Sequence, residues 1–240
     1  MNTPHPPFIK DDPAGYEIQT AGSTVSYLLD QIPDKPNKVH LAGDPTLLND
    51  KSLKFLCVIG SRKHTLYGRE ACETLIRSLA SSKVAIVSGL ALGIDGLAHE
   101  VALDVGLPCI AVPGSAIDQA SLYPRSHTDL AERIVKNGGL ILSELEPGTK
   151  ASPWSFPMRN RIMAGLSHAV LIIEGEEDSG TLITARLALE YNRDVLAIPG
   201  PIFSPASRGP LNLIKGGAVP ICSPSDLKAA LGIVEGSLFS

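Results

Sequence analysis

The sequence lacks the features that mark membrane and secreted proteins. No run of about 18 consecutive apolar residues is present, which is what a membrane-spanning helix requires. The first residues contain no apolar signal-peptide centre. Aromatic residues make up only 5% of the chain, so the core has to be built mainly from Val, Ile, Leu and Ala. We therefore predict a cytoplasmic protein that makes no membrane contact.

Metal-binding and disulfide patterns are also missing. The four cysteines show no CxxC spacing, and no set of His, Cys, Asp and Glu has the spacing of metal ligands. Cys57 and Cys109 lie in apolar runs, which favours small buried thiols in a reducing compartment. The formal net charge of −4 argues against a generally basic surface that coats nucleic acid, but it is compatible with a local basic pocket.

Cofactor and catalytic fingerprints are absent as well. Gly60-Ser61-Arg62 does not continue as GxGxxG, and neither GxxxxGK[ST] nor GxSxG occurs. We therefore predict no cofactor. Asp95 and His99 are four residues apart on one helix face, which suits a catalytic dyad but suits equally an acid at a helix start and a packed histidine.

What the chain does contain is an alternation of apolar runs and helical patterns. Runs such as "FLCVIG", "VAIVSG" and "DVLAIPG" suit strands buried on both faces, and segments such as "LYGREACETLIRSLASS" between them have helical spacing. This predicts an α/β protein with an extended Rossmann-like fold, a mostly parallel sheet and helices on both faces. We predict this domain over residues 36–232, after a poorly ordered arm or short helix over 1–35 and before a tail over 233–240.

Glycine-containing loops follow most of the predicted strands. Examples are "IGSRKHTLYG", "SGLALGID" and "EGEEDSGTL". In a parallel sheet these loops meet at the carboxyl edge, near the point where the strand order reverses, and open α/β sheets bind ligands there. Glycines allow close backbone approach and helix N-termini attract anions, so the loops together indicate a ligand that carries phosphate.

Two arginines in "PWSFPMRNRIMAGLS" occupy an unusual place. Pro157 suits the first position of a helix, with Ser155 as a cap, and this puts Arg159 and Arg161 close to the positive helix end. One explanation is that they pair with Glu144 or Glu146. The other is an anion site, because free N–H groups and cations attract phosphate together.

Nearby residues favour the anion site. Phe156 offers a face on which a base can stack, and Arg62 on a neighbouring loop adds a cation. Aromatic, cationic and glycine-rich elements together suit single-stranded nucleic acid better than a small metabolite.

At these residues the sequence resembles the DNA-processing protein A family, DprA or Smf. The segments that carry the resemblance lie in the family's order from about residue 36 to 231: "VIGSRKHTLYG", "SGLALGIDGLAHEVAL", "SELEPG", "FPMRNRIMAGLS", "SGTLITARLALE", "VLAIPG" and "GPLNLIKGGA". The resemblance implies a non-enzymatic homodimer that binds and protects single-stranded DNA and loads a RecA-type recombinase onto it in recombination or natural transformation. The acidic run Glu176–Asp178 departs from the family pattern.

We accordingly predict a nucleic-acid-binding site made by loops and helix starts at the carboxyl edge. Its members are Gly60, Ser61, Arg62, Ser88, Gly89, Gly93, Asp95, Phe156, Arg159, Asn160, Arg161, Ser179, Gly180 and Thr181. The alternative is a nucleotide phosphoribohydrolase-like enzyme of a related Rossmann family. Those enzymes carry PGGxGTxxE, of which "EGEEDSGTL" keeps only the Gly-Thr.

Overall fold

Strands and helices alternate along the chain in the computed structural model, which describes residues 17–22 and 25–233. The strands are β1 (Ile18–Gly22), β2 (Lys38–Gly43), β3 (Lys54–Ile59), β4 (Val84–Ser88), β5 (Cys109–Ala111), β6 (Leu140–Ser143), β7 (Ala169–Ile172), β8 (Asp194–Ala197) and β9 (Val219–Pro220). The helices are α1 (Leu66–Ser78), α2 (Ile94–Asp104), α3 (Thr128–Lys136), α4 (Ser155–Gly165), α5 (Gly180–Glu190), α6 (Arg208–Lys215) and α7 (Pro224–Ala230).

The strands form one sheet in the order β1-β2-β6-β5-β4-β3-β7-β8-β9. From β6 to β9 across the sheet, all neighbours are parallel, whereas β2 is antiparallel to both β1 and β6. The chain builds outward from β3 through β4, β5 and β6, then returns to the other side of β3 with β7, β8 and β9. The strand order therefore reverses between β3 and β7.

Both faces of the sheet are covered by apolar layers. Along β3, Leu56 and Val58 join one layer with side chains of α1, α2 and α3, while Phe55 and Cys57 join the other with α4 and α5. This alternation is why the central strands are apolar along their whole length. The predicted fold class is thereby confirmed, and Cys57 and Cys109 are buried.

Part of the segment predicted as an arm belongs to the sheet. Residues 18–22 form β1, which pairs antiparallel with β2, and a 3-10 turn at Leu29–Gln31 buries Leu29 completely. The sequence "IQTAG" did not reveal this strand because Ile18 is its one buried side chain. Residues 1–16, 23–24 and 234–240 lie outside the described part, so the rest of the predicted arm and the C-terminal tail stay predictions.

Candidate nucleic-acid interface

Loops at the carboxyl edge of the sheet enclose a cavity of about 510 Å³. It lies beside the ends of β3 and β7, where the strand order reverses, as expected for an open α/β sheet. The starts of α4, α5 and α6 complete its wall. Ten of the residues predicted from the sequence line it: Gly60, Ser61, Arg62, Asp95, Phe156, Arg159, Asn160, Ser179, Gly180 and Thr181.

A buried ion pair between α2 and α4 forms the floor of the cavity. Arg159 Nη2 lies 3.7 Å from Asp95 Oδ2, and the two residues are 7% and 5% exposed. Arg159 Nη1 also donates to the Val112 carbonyl at 2.9 Å. Burial raises the pKa of the Asp95 carboxyl, and this is opposed by Arg159 and by the backbone N–H groups of Gly89 and Gly60. The guanidinium of Arg159 is therefore held by protein groups.

Helix α4 begins earlier than the sequence suggested, and this changes the position of Arg159 within the helix. The helix starts at Ser155 rather than Pro157. The Ser155 hydroxyl donates to the Gly114 carbonyl at 2.5 Å and accepts from the Ser152 N–H at 3.0 Å, which fixes the helix start against the loop after β5. Arg159 is consequently the fifth helical residue. The free N–H groups of a helix belong to its first turn, so Arg159 lies just beyond them.

Two of the predicted glycines support the floor without lining the cavity. A Cβ on Gly89 would lie 1.4 Å from Arg159 Nη1, so a side chain there would displace the guanidinium. Gly93 precedes α2 with φ of +81°, and its Cβ would lie 2.2 Å from the Ser61 carbonyl oxygen. Glycine at these positions permits the close approach of the β3 and β4 loops to α2 and α4.

The exposed chemistry of the cavity lies at its lip. Arg62 is exposed, and its guanidinium carbon is 4.8 Å from the ring centroid of Phe156, a cation–π contact. Phe156 is itself partly exposed. This arrangement places a cation that can contact a phosphate and an aromatic ring that can contact a base at the same point.

Two predicted residues are placed elsewhere. Arg161 Nη2 donates to Glu144 Oε2 at 2.5 Å, and its Nε is 3.9 Å from Asp34 Oδ2. This is the structural pairing that the sequence left open as an alternative. Ser88 is fully buried and donates to the Val58 carbonyl at 2.6 Å. Neither side chain reaches the cavity, because each is already bonded on another side of its element.

The opposite rim of the cavity combines an anion-binding feature with negative charge. Ser179 comes just before α5, and its Oγ is buried without a hydrogen-bond partner. The preceding residues Glu176, Glu177 and Asp178 are exposed and also line the cavity. Glu177 accepts from Asn212 Nδ2 at 3.2 Å. This rim is therefore the acidic side of the site.

One cation of the cavity was missed by the sequence reasoning. Arg208, the first residue of α6, is exposed and lines the wall next to the acidic run. The sequence did hint at this position, because "SPASRGPLNLIKGG" follows the loop after β8 and so comes back to the carboxyl edge of the sheet. Gly209 and Pro210 interrupt the apolar spacing of α6, so the helix start that carries Arg208 was not recognised.

The Asp95 and His99 pair is a structural feature. His99 is fully buried and does not line the cavity, and burial lowers its pKa to about 4, so its ring is neutral near pH 7. Among residues 17–22 and 25–233, no three His, Cys, Asp or Glu residues are placed to hold a metal ion. Within the same ranges, every helix is too short or too polar to span a bilayer.

A family model described as DNA recombination-mediator protein A matches residues 20–232. The chain belongs to this family. It is 41% identical over 194 residues to protein Smf of Escherichia coli and 40% identical over 210 residues to the DNA processing protein DprA of Bacillus subtilis. These alignments include 81% and 88% of the chain. The chain spans about half the length of the first relative and 69% of the second.

Solved structures of the family share the fold. DNA processing protein A from Helicobacter pylori, whose structure describes its single-stranded DNA binding mode, superposes with a TM-score of 0.81 at 32% identity. That comparison includes 91% of this chain and 97% of the other. The overall fold of this chain is therefore shared with solved members of the family.

Proposed function

We propose that this chain is a recombination mediator that binds single-stranded DNA at the carboxyl-edge cavity. The observation that carries the proposal is the exposed Arg62 guanidinium above Phe156 at the point where the strand order reverses. A cation beside an aromatic ring is the arrangement by which proteins bind single strands without reading sequence. The binding mode reported for the H. pylori relative supports the same choice of ligand.

The proposed preference for single strands follows from the ring. A base can stack on Phe156 only when it is free of its partner strand, whereas a duplex presents mainly phosphates. The chain carries a net charge of −4, so a duplex gains no general electrostatic attraction away from the site.

Fluorescence anisotropy with matched single- and double-stranded oligonucleotides across a salt series tests this proposal. We expect tighter binding of single strands at every salt concentration, and weaker binding by Arg62→Ala for all base sequences alike. Equal affinity for the two forms, or an Arg62→Ala variant with wild-type affinity, would contradict it.

The loading of a RecA-type recombinase and the formation of a homodimer through residues 209–222 belong to the same proposal. Their support is the family membership. Recombinase loading is tested by a strand-exchange reaction in which the single strands are first covered by a single-strand-binding protein. Adding the chain should shorten the delay before the recombinase begins strand exchange. Light scattering at micromolar concentration tests the dimer. Release of free base from nucleoside monophosphates would instead favour the enzymatic alternative.

A further inference from the structure

A second groove lies beside the main cavity and shares Phe156 with it. Its volume is about 430 Å³, and it lies between the loop after β5, which carries Tyr123 and Arg125, and the loop after β6, which carries Lys150. Phe156 lines both hollows, so it forms the boundary between them. A chain-like ligand that crosses Phe156 can therefore enter both.

Two hydrogen bonds join the two walls of this groove, and a third fixes the loop that carries Tyr123. The Ala116 N–H donates to the Thr149 carbonyl at 3.0 Å, and the Gly148 N–H donates to Asp118 Oδ1 at 2.8 Å. The Tyr123 N–H donates to Ser115 Oγ at 3.0 Å. Hydrogen bonds within the protein thus hold the groove together, and the main chain of Tyr123 is fixed by one of them.

The groove repeats the chemistry of the first site. Tyr123 is 43% exposed, and its ring centroid lies 6.0 Å from that of Phe156 at an interplanar angle of 66°. The two rings therefore lie close enough together for neighbouring nucleotides of one single strand to contact them in turn. Arg125 and Lys150 are exposed beside them.

The charges of the groove favour a polyanionic ligand more than those of the opposite rim do. Its lining contains two cations and no carboxylate, and the one carboxylate that joins its two walls, that of Asp118, accepts a hydrogen bond from the Gly148 N–H. On the opposite rim Arg208 stands with three carboxylates, those of Glu176, Glu177 and Asp178. A polyanion that is held at Arg62 gains attraction toward the groove and meets repulsion toward the acidic rim.

The carboxylates closest in sequence to Lys150 do not change this balance. Glu144 forms an ion pair with Arg161, and Glu146 pairs with Lys38 and lies 3.2 Å from His40 Nε2. Both carboxylates are thus partly neutralised by cations outside the groove.

From these observations we propose that the groove is a second nucleotide subsite for single-stranded DNA. The strand passes from Arg62 over Phe156, and its next base lies against Tyr123 while Lys150 and Arg125 contact its phosphates. This inference rests on the proposed function. It adds the path that the strand follows across the protein, which leads away from the acidic rim.

The test uses oligothymidylates lengthened one nucleotide at a time from a dinucleotide, with anisotropy as the measurement. In the wild type, affinity should rise sharply at the length that first reaches the groove. Tyr123→Ala should lose this rise, a loss of about 5- to 150-fold for the longer strands, whereas Tyr123→Phe should retain it. Lys150→Ala should lower the salt slope of the longer strands by about 0.7.

Trp154→Ala is the matched control, since Trp154 is 53% exposed on the same segment but lines neither hollow. It should behave as the wild type. If Tyr123→Ala loses thermal stability, Lys150→Ala decides the question, because its side chain is exposed on a loop.

The failures of the two proposals are distinguishable. If Tyr123→Ala and Lys150→Ala keep the wild-type length dependence while Arg62→Ala weakens all lengths, the second subsite is refuted and the main site stands. If the wild type binds no length, or Arg62→Ala changes nothing, both proposals fall.

Discussion

Replacing Arg159 by alanine should destabilise the protein strongly. The sequence pattern had suggested that Arg159 is a cation that binds the ligand. In the structure, Arg159 pairs with Asp95 beneath the cavity, and both residues are at least nine-tenths buried. Arg159→Ala would leave the Asp95 carboxylate buried without its cation and would remove the donor to the Val112 carbonyl.

The expected loss is large for one residue. Breaking a buried ion pair by removing one partner costs about 3–5 kcal/mol, because the remaining charge stays desolvated. For a chain of this size each 1 kcal/mol lowers the melting temperature by about 2–4 °C, so the variant should melt about 6–20 °C below the wild type. Asp95→Asn in the same background should recover a large part of this loss, since it removes the unpaired charge.

Urea denaturation followed by circular dichroism measures the free energy of unfolding directly. Arg69→Ala is the control: Arg69 forms an exposed pair with Glu73 at 2.8 Å, and solvent screening leaves such a pair with little effect on stability. If Arg159→Ala unfolds within about 1 kcal/mol of the wild type, the ion pair is not the structural element inferred here. A double variant as unstable as Arg159→Ala alone would refute the charge explanation specifically.

Three further outcomes are expected. Arg62→Ala should reduce the slope of log K against log salt by about 0.7, and a wild-type slope would count against its phosphate contact. The unfolding midpoint should change only slightly, because the contact that is lost is the exposed cation–π contact with Phe156. Gly93→Ala should lower the free energy of unfolding in urea by at least about 1–2 kcal/mol, because φ is +81° and the new Cβ would meet the Ser61 carbonyl. Gly22→Ala is the comparison, since Gly22 has open space around it. Acid should also destabilise the fold through His99, because burial lowers the pKa of its ring from 6.5 to about 4 in the folded protein. As the pH falls, the unfolded chain therefore takes up this proton before the folded chain does. The free energy of unfolding should decrease by up to about 3 kcal/mol between pH 6.5 and pH 4. His99→Gln should flatten that dependence in pH-dependent urea titrations, and identical pH profiles would show that another group is responsible.

The alternation of apolar runs and helical spacing was sufficient to predict the sheet from β3 to β8. Strands such as β4, with all five residues buried, have no other simple interpretation. The edges were harder. In β1 a single side chain is buried and β9 has only two residues, so their pairing depends on neighbouring strands rather than on any pattern of their own.

The site was predictable to the extent that topology determines it. Parallel strands bring their following loops together, and this placed Arg62, Phe156 and the start of α5 in one cavity. The distinction between Arg159 and Arg161 was not predictable, because both flank Asn160 on a helix whose buried side also carries polar residues. Only the packing of α4 against the sheet shows that Arg159 turns toward Asp95 and Arg161 toward Glu144.

The outermost parallel strand, β9, restricts how two copies of the chain can assemble. It contributes only Val219 and Pro220, which pair with Leu196 and Ala197 of β8. Proline has no N–H to donate, and an edge this short offers little template for an added strand. A partner that approaches this end therefore meets few main-chain groups with which to continue the sheet. If the proposed homodimer forms there, side chains such as Val219, which is 47% exposed, should supply most of its contacts, and its affinity should respond to side-chain substitutions.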